Sequence, residues 1–200
     1  MSKPFAVTVL TGLFCSALAL AVAPALLPAD YSWIANTTSE SAAQGISGAW
    51  LARLGFLLFG LSVIPLACRA AGLWGHVGAV LHFAFGALLA MVAAFSSRPW
   101  TTAPYDGTED FLHSLAATAM GFAFAGGVVA AVVYRRKADI LDISAVAASV
   151  LIPLAMVAFP DADGLFQRVM FAIAYVWYAA VPLAAARQSR RRDDQPRAAS

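Results

Sequence analysis

The chain has 200 residues, 61% of them hydrophobic and only 12% charged, with a formal net charge of +2. Soluble domains carry about 25% charged residues, so that class is excluded. The basic residues form short flanks of apolar runs and no folded basic face, which argues against nucleic acid as a partner.

Six apolar runs approach the ~20 residues needed to cross about 30 Å of hydrocarbon. In chain order the predicted spans cover 5–27, 48–69, 72–95, 110–134, 140–159 and 164–186. The first could be read as a signal peptide, because Lys3 precedes it and small residues fill Ala21 to Ala25. Its apolar stretch is about twice the 7–15-residue core of such a peptide, which favours a retained span. Cys15 and Cys68 fall within spans and read as buried, apolar thiols rather than a bridge. Residues 1–187 thus read as a single six-span domain. Residues 188–200 read as a disordered basic cytoplasmic tail near anionic headgroups.

Charge sorts the segments between spans. Lys3, Arg69, Arg135, Arg136, Lys137 and Arg187 lie at one set of ends; Asp30, Glu40, Asp106, Glu109, Asp110, Asp161 and Asp163 lie at the other. Lys and Arg mark the cytoplasmic side, so both termini are expected inside and the acidic loops outside. The expected fold class is an all-α, six-span transmembrane bundle. The expected location is a bacterial cytoplasmic membrane, with membrane lipids as the surrounding partners.

Small residues recur every four positions on several spans, the pattern that lets membrane helices approach closely. His113, Ala117, Gly121 and Ala125 do so on the fourth span. Gly78, His82, Gly86 and Ala90 do so on the third, and Arg53 and Gly60 share a face of the second. The polar residues of these stripes should therefore point inward. His82 reads as an interhelical hydrogen bond, and Asp142 as an interfacial residue. Pro65, Pro153 and Pro182 lie inside spans, where kinks are tolerated.

Arg53, His113 and Arg168 each sit roughly 5–8 Å inside the outer end of a different span. Ionisable groups at such positions are costly and mark a candidate site. A buried arginine needs a carboxylate, a phosphate or a ring of carbonyls, so a lipid headgroup or small anion is a candidate ligand for Arg53 and Arg168. A structural network tying helix ends is the competing reading. A third is an intramembrane hydrolase or transferase with Glu40, Asp110 and His113 as its acid–base set. Asp110 and His113 are three apart and Glu109 and His113 four apart, on one helix face. One such pair falls short of the three or four ligands a metal site needs, so no metal is assigned. No haem pair, glycine-rich phosphate loop or other cofactor motif is present.

The outward segment 31–50, YSWIANTTSESAAQGISGAW, resembles that of a bacterial membrane family known as domain of unknown function 998. Ser39-Glu40 match its Ser-Glu pair, although Ser41 stands where a leucine is expected. Leu112-His113 and Gln167-Arg168 match its entries to the fourth and sixth spans. The resemblance implies a six-span fold and no established activity. It groups Ser39, Glu40, His113, Gln167 and Arg168 as one constellation; with Arg53, from its place inside the second span, they form the candidate ligand-binding set.

Overall fold

Six helices run up and down in chain order. The computed structural model describes the backbone of residues 1–194 and the side chains of residues 1–184. The helices are α1 (Lys3–Val22), α2 (Trp50–Arg69), α3 (Ala71–Ala94), α4 (Gly107–Arg135), α5 (Ile140–Ala158) and α6 (Asp163–Asp194). A 3-10 turn, Ala23–Leu26, extends α1, and two others, Glu40–Ala42 and Pro160–Ala162, lie in connections. All six helices are long and apolar enough to cross a membrane. No strand occurs among the described residues, so the expected fold class stands. The tail expected at 188–200 lies outside the described side chains, and 195–200 lie outside the described residues.

Local chemistry explains the helix boundaries. Asp106 caps α4 by accepting from the N–H groups of Thr108 and Glu109, which starts that helix three residues before the predicted span. Asp139 and Asp142 form a reciprocal capping box at the start of α5. A single residue, Ala70, joins α2 to α3. Gly75 then breaks the first turn of α3 with φ 70° and ψ 171°, a region open to glycine. The break was not foreseen, because glycine within an apolar run reads as packing. It leaves Trp74 buried, its ring 4.4 Å from that of His82 and 5.3 Å from that of Trp177.

Neighbours in sequence are neighbours in space, and α6 closes the ring against α1. Backbones approach closely between α2 and α3, where a Cβ on Gly60 or Gly86 would collide with the other glycine's carbonyl oxygen. Lipid tails are as apolar as leucine, so such close packing is what holds membrane helices together. The thinnest seam between successive helices lies between α4 and α5. α6 reaches the centre with long aromatic side chains. Phe59 stacks on Tyr175 with centroids 4.1 Å apart, and Tyr178 is fully buried among Phe59, Phe85 and Phe124. Aromatic pairs of this kind contribute about 0.5–1.5 kcal/mol each beyond their area. Ser16 donates to the Gly55 carbonyl at 2.6 Å, so the Tyr175 hydroxyl, 2.5 Å away, must donate to Ser16.

Two sequence readings need correction. Cys15 and Cys68 are free and exposed on outward helix faces, because neither lies on a packing stripe. Gly121, read as a packing glycine, has nothing within 4 Å of where a Cβ would sit. Its face of α4 borders a space between helices, since α5 does not close onto it.

These contrasts set a test. Gly86→Ala should lower stability by about 1–3 kcal/mol by forcing α2 and α3 apart. Gly121→Ala should leave the thermal midpoint in detergent unchanged or slightly raised.

Candidate functional site

Loops 27–49, 95–106 and 159–162 meet at one end of the bundle, here called the loop end; the opposite end is where α1 begins. The first loop presents a row of backbone carbonyls that need donors. The two N–H groups of Arg168 Nη1 are shared among three carbonyls, Trp33 O at 2.7 Å, Asn36 O at 3.0 Å and Gly164 O at 2.9 Å. Its Nη2 donates to the Tyr31 hydroxyl at 2.7 Å. The first N–H groups of α6 take the neighbouring carbonyls: Gly164 N–H donates to Ala35 and Leu165 N–H to Ile34. A side chain at Gly164 would strike the Asn36 carbonyl, so the loop can sit on this helix only at glycine. Tyr31 in turn donates to Thr37 O at 2.9 Å. Burial pushes its hydroxyl pKa up, against the pull of the Arg168 charge, so it remains a donor at neutral pH.

Arg53 does the same further along the loop. Its Nε donates to Ala42 O and its Nη2 to Ala43 O, both at 3.0 Å. Both arginines thus meet the carbonyl ring that their burial requires.

The acids at this end serve backbone donors. Glu40 accepts from Thr37 N–H at 2.7 Å while Thr37 Oγ1 accepts from Glu40 N–H at 3.1 Å, a capping box around the turn Glu40–Ala42. Glu109 accepts from Ser96 N–H at 2.6 Å, and Asp110 from Arg98 N–H at 2.7 Å. Gln44 knits the first two loops, donating to Ser96 O and Asp106 O and accepting from Asp106 N–H. His113 is buried, its Nδ1 2.8 Å from Phe95 O. A carbonyl only accepts, so Nδ1 carries the proton; Nε2 is buried with no partner. Ser39 N–H donates to Gln167 Oε1 at 3.2 Å, and Ser97 Oγ donates to Ser39 O at 3.0 Å.

The structure therefore joins Ser39, Gln167 and Arg168 across the α6–first-loop contact. It seats Arg53 and His113 on separate stretches of the same loop mesh. Glu40, Asp110 and His113 are each bound to a different backbone group and share no hydrogen bond. Among the described residues no group of three His, Cys, Asp or Glu side chains is set to hold a metal.

Between the loops lies a polar cleft of about 520 Å³. Of the sequence-derived residues only Glu40 lines it, with Asn36, Arg98, Trp100, Tyr105 and Asp163. Trp100 is held by Asp30, which accepts from its Nε1 at 3.2 Å, and by the Tyr31 ring edge. Arg98 is exposed, and among the described contacts its guanidinium bonds no protein group. One oxygen of Asp163, Oδ1, is buried without a hydrogen-bond partner. In the sequence Asp163 is one of the outward acids and Arg98 a lone loop cation; what the sequence lacks is the loop geometry that brings both to one cleft.

The family model described as "Protein of unknown function (DUF998)" matches residues 9–184. The chain belongs to this family. The match runs from α1 to the last described side chains of α6, so it covers the whole bundle and the loop mesh. No curated protein and no solved structure matches this DUF998 protein.

The far end of this DUF998 protein holds a second polar cluster, where the sequence reading placed Asp142 at the interface. Asp142 is 2% exposed. Arg135 Nη2 donates to both of its oxygens at 2.9 Å, Trp177 Nε1 donates to Oδ1 at 3.0 Å, and Asp139 N–H donates to Oδ2 at 3.0 Å. The signal was the capping-box spacing Asp139-x-x-Asp142 just after Arg135, which places a carboxylate in reach of the preceding helix end. Beside this cluster His82 Nδ1 lies 2.8 Å from the Tyr178 hydroxyl, an α3–α6 contact as the stripe implied.

Two outcomes follow from these contacts. Arg168→Lys cannot reproduce the planar fork on three carbonyls and Tyr31, so amides of residues 33–37 should exchange at least tenfold faster in hydrogen–deuterium exchange. Arg135→Ala strands a buried carboxylate and should cost about 3 kcal/mol, read as a lower denaturation midpoint. Arg136→Ala, whose side chain is exposed, should change little.

Proposed function

We propose that this multi-pass membrane protein binds the polar headgroup of a membrane lipid in the loop-end cleft. One observation carries the reading: Asp163, one of whose carboxylate oxygens is buried without a protein partner, and Arg98, whose guanidinium bonds no protein group among the described contacts, line the same cleft at the end of a six-helix bundle. The Lys and Arg bias supports a loop end facing outward from a cytoplasmic membrane, where headgroups of the outer leaflet lie.

The lining chemistry favours a headgroup with an amine. Glu40 and Asp163 oppose a single cation, and Trp100 and Tyr105 add aromatic faces that attract ammonium groups. Arg98 suits the phosphate. Arg53 and Arg168 are occupied by loop carbonyls, so a small anion held by these two has less support. In this reading Ser39, Arg53, His113, Gln167 and Arg168 are positioning residues that fix the walls, and Glu40 faces the ligand.

The test is native mass spectrometry from gentle detergent. Wild type should retain phosphatidylethanolamine at least fivefold better than phosphatidylglycerol. Asp163→Asn should cut that retention about tenfold with the thermal midpoint unchanged. Equal retention of both lipids by both proteins would sink the proposal.

A further inference from the structure

The space left by Gly121 is part of an apolar crevice of about 460 Å³ between α4, α5 and α6. Phe85, Phe124, Pro153, Met170 and Phe171 line it with Gly121. Its polar lining residues are Thr118 and Ser149, and Ser149 donates to its own helix at Ala145 O, 2.8 Å, so the wall offers water few partners. Water enters a cavity when it finds two to four polar partners. Here it would find almost none, whereas hydrocarbon surrounds this depth of a six-span bundle on every side.

The crevice and the polar cleft share two walls. Along α6, Asp163 lines the cleft and Met170 the crevice; along the α5 side, Pro160 lines the cleft and Pro153 the crevice. Seven residues separate the members of each pair; along α6 that is about 10 Å of helical rise, whereas α5 ends at Ala158, before Pro160. A headgroup in the cleft therefore stands about that far above the crevice, the spacing between the polar end of a lipid and the first part of its chains. Both volumes fall within the roughly 300–1,000 Å³ typical of ligand pockets.

We infer that cleft and crevice form one site for a single amphiphile: an amine-bearing phospholipid with its headgroup among Glu40, Arg98 and Asp163 and one hydrocarbon chain between α4, α5 and α6. The inference rests on the headgroup reading above and adds what holds the chain. The small faces of Ala117, Gly121 and Ala125 keep the space open, and Pro153 faces it from α5. Phe124 and Phe171, both buried, form its floor against the core.

The experiment pairs two probes, phosphatidylethanolamine and its chain-free headgroup glycerophosphoethanolamine, with the full chain, Gly121→Leu and Asp163→Asn. Gly121→Leu fills the crevice far from the cleft. It should lower phosphatidylethanolamine retention at least tenfold and leave glycerophosphoethanolamine binding unchanged, while Asp163→Asn weakens both. Unchanged lipid retention in Gly121→Leu would overturn the chain site and leave the headgroup reading standing. Lipid loss in Gly121→Leu without any glycerophosphoethanolamine binding to wild type would instead remove the headgroup reading. A dimer mass in wild type that becomes monomer in Gly121→Leu, with no lipid lost, would give the crevice to a second copy and overturn the inference. Should Gly121→Leu fold poorly, wild type with one equivalent of phosphatidylethanolamine carrying a diazirine in one chain decides the matter. Crosslinks should fall on residues 117–125 and 149–153; crosslinks confined to other helices would overturn it.

Discussion

Backbone carbonyls that leave helical order at a membrane boundary must find donors, and the first loop depends on this constraint. Its carbonyls from Trp33 to Asn36 and at Ala42 and Ala43 are taken by Arg168, the first turn of α6 and Arg53. An arginine is suited to the task because its charge is weakly hydrated and its donors are fixed in a plane. The costly feature in the sequence, charge inside a span, and the costly feature of the loop, unpaired carbonyls, cancel each other. Left over at the loop end are groups that the mesh does not bond, among them the Arg98 guanidinium, one oxygen of Asp163, His113 Nε2, Thr38 Oγ1 and Ser96 Oγ; of these residues Arg98 and Asp163 line the cleft.

The bundle was legible because span length and apolarity are properties of the local sequence. So was the inward direction of His82 and His113, since a four-residue stripe of small neighbours fixes a helix face. Partners were not legible. Arg53 and Arg168 were expected beside phosphate or carboxylate as readily as carbonyls, because nothing in a linear chain tells which loop folds back over a helix end. Asp142 was misjudged for a related reason. Its depth follows from the α4–α5 turn and from Trp177 on the next helix, 35 residues on, and neither shows in its own neighbourhood. Gly121 failed differently: a small residue permits contact but does not compel it, and α5 does not close onto that face.

The two ends of the molecule solve the same electrostatic problem in different ways. At the loop end, charged side chains neutralise peptide dipoles, and no arginine there leans on an acid among the described contacts. At the opposite end Arg135 and Asp142 meet directly, in a buried pair completed by an indole and a peptide N–H. A pair of this kind is intolerant of losing one member and indifferent to the loops. The loop end is the more distributed arrangement, in which Arg168, Arg53 and Gln44 each serve two or three peptide groups and Glu40, Glu109, Asp110 and His113 serve one each.

The Arg135–Asp142 clamp also has a mechanical meaning. It ties the end of α4 to the start of α5 across a short turn, at the opposite end from the cleft. Farther along, the same two helices face each other across small side chains and open space. The pair is therefore shaped like a pair of tongs, riveted at one end and parted along the blades. Any breathing of α5 away from α4 pivots on that rivet and is greatest toward the loop end. A long molecule moving within the plane of the membrane would meet an opening in the side wall rather than a mouth at the top.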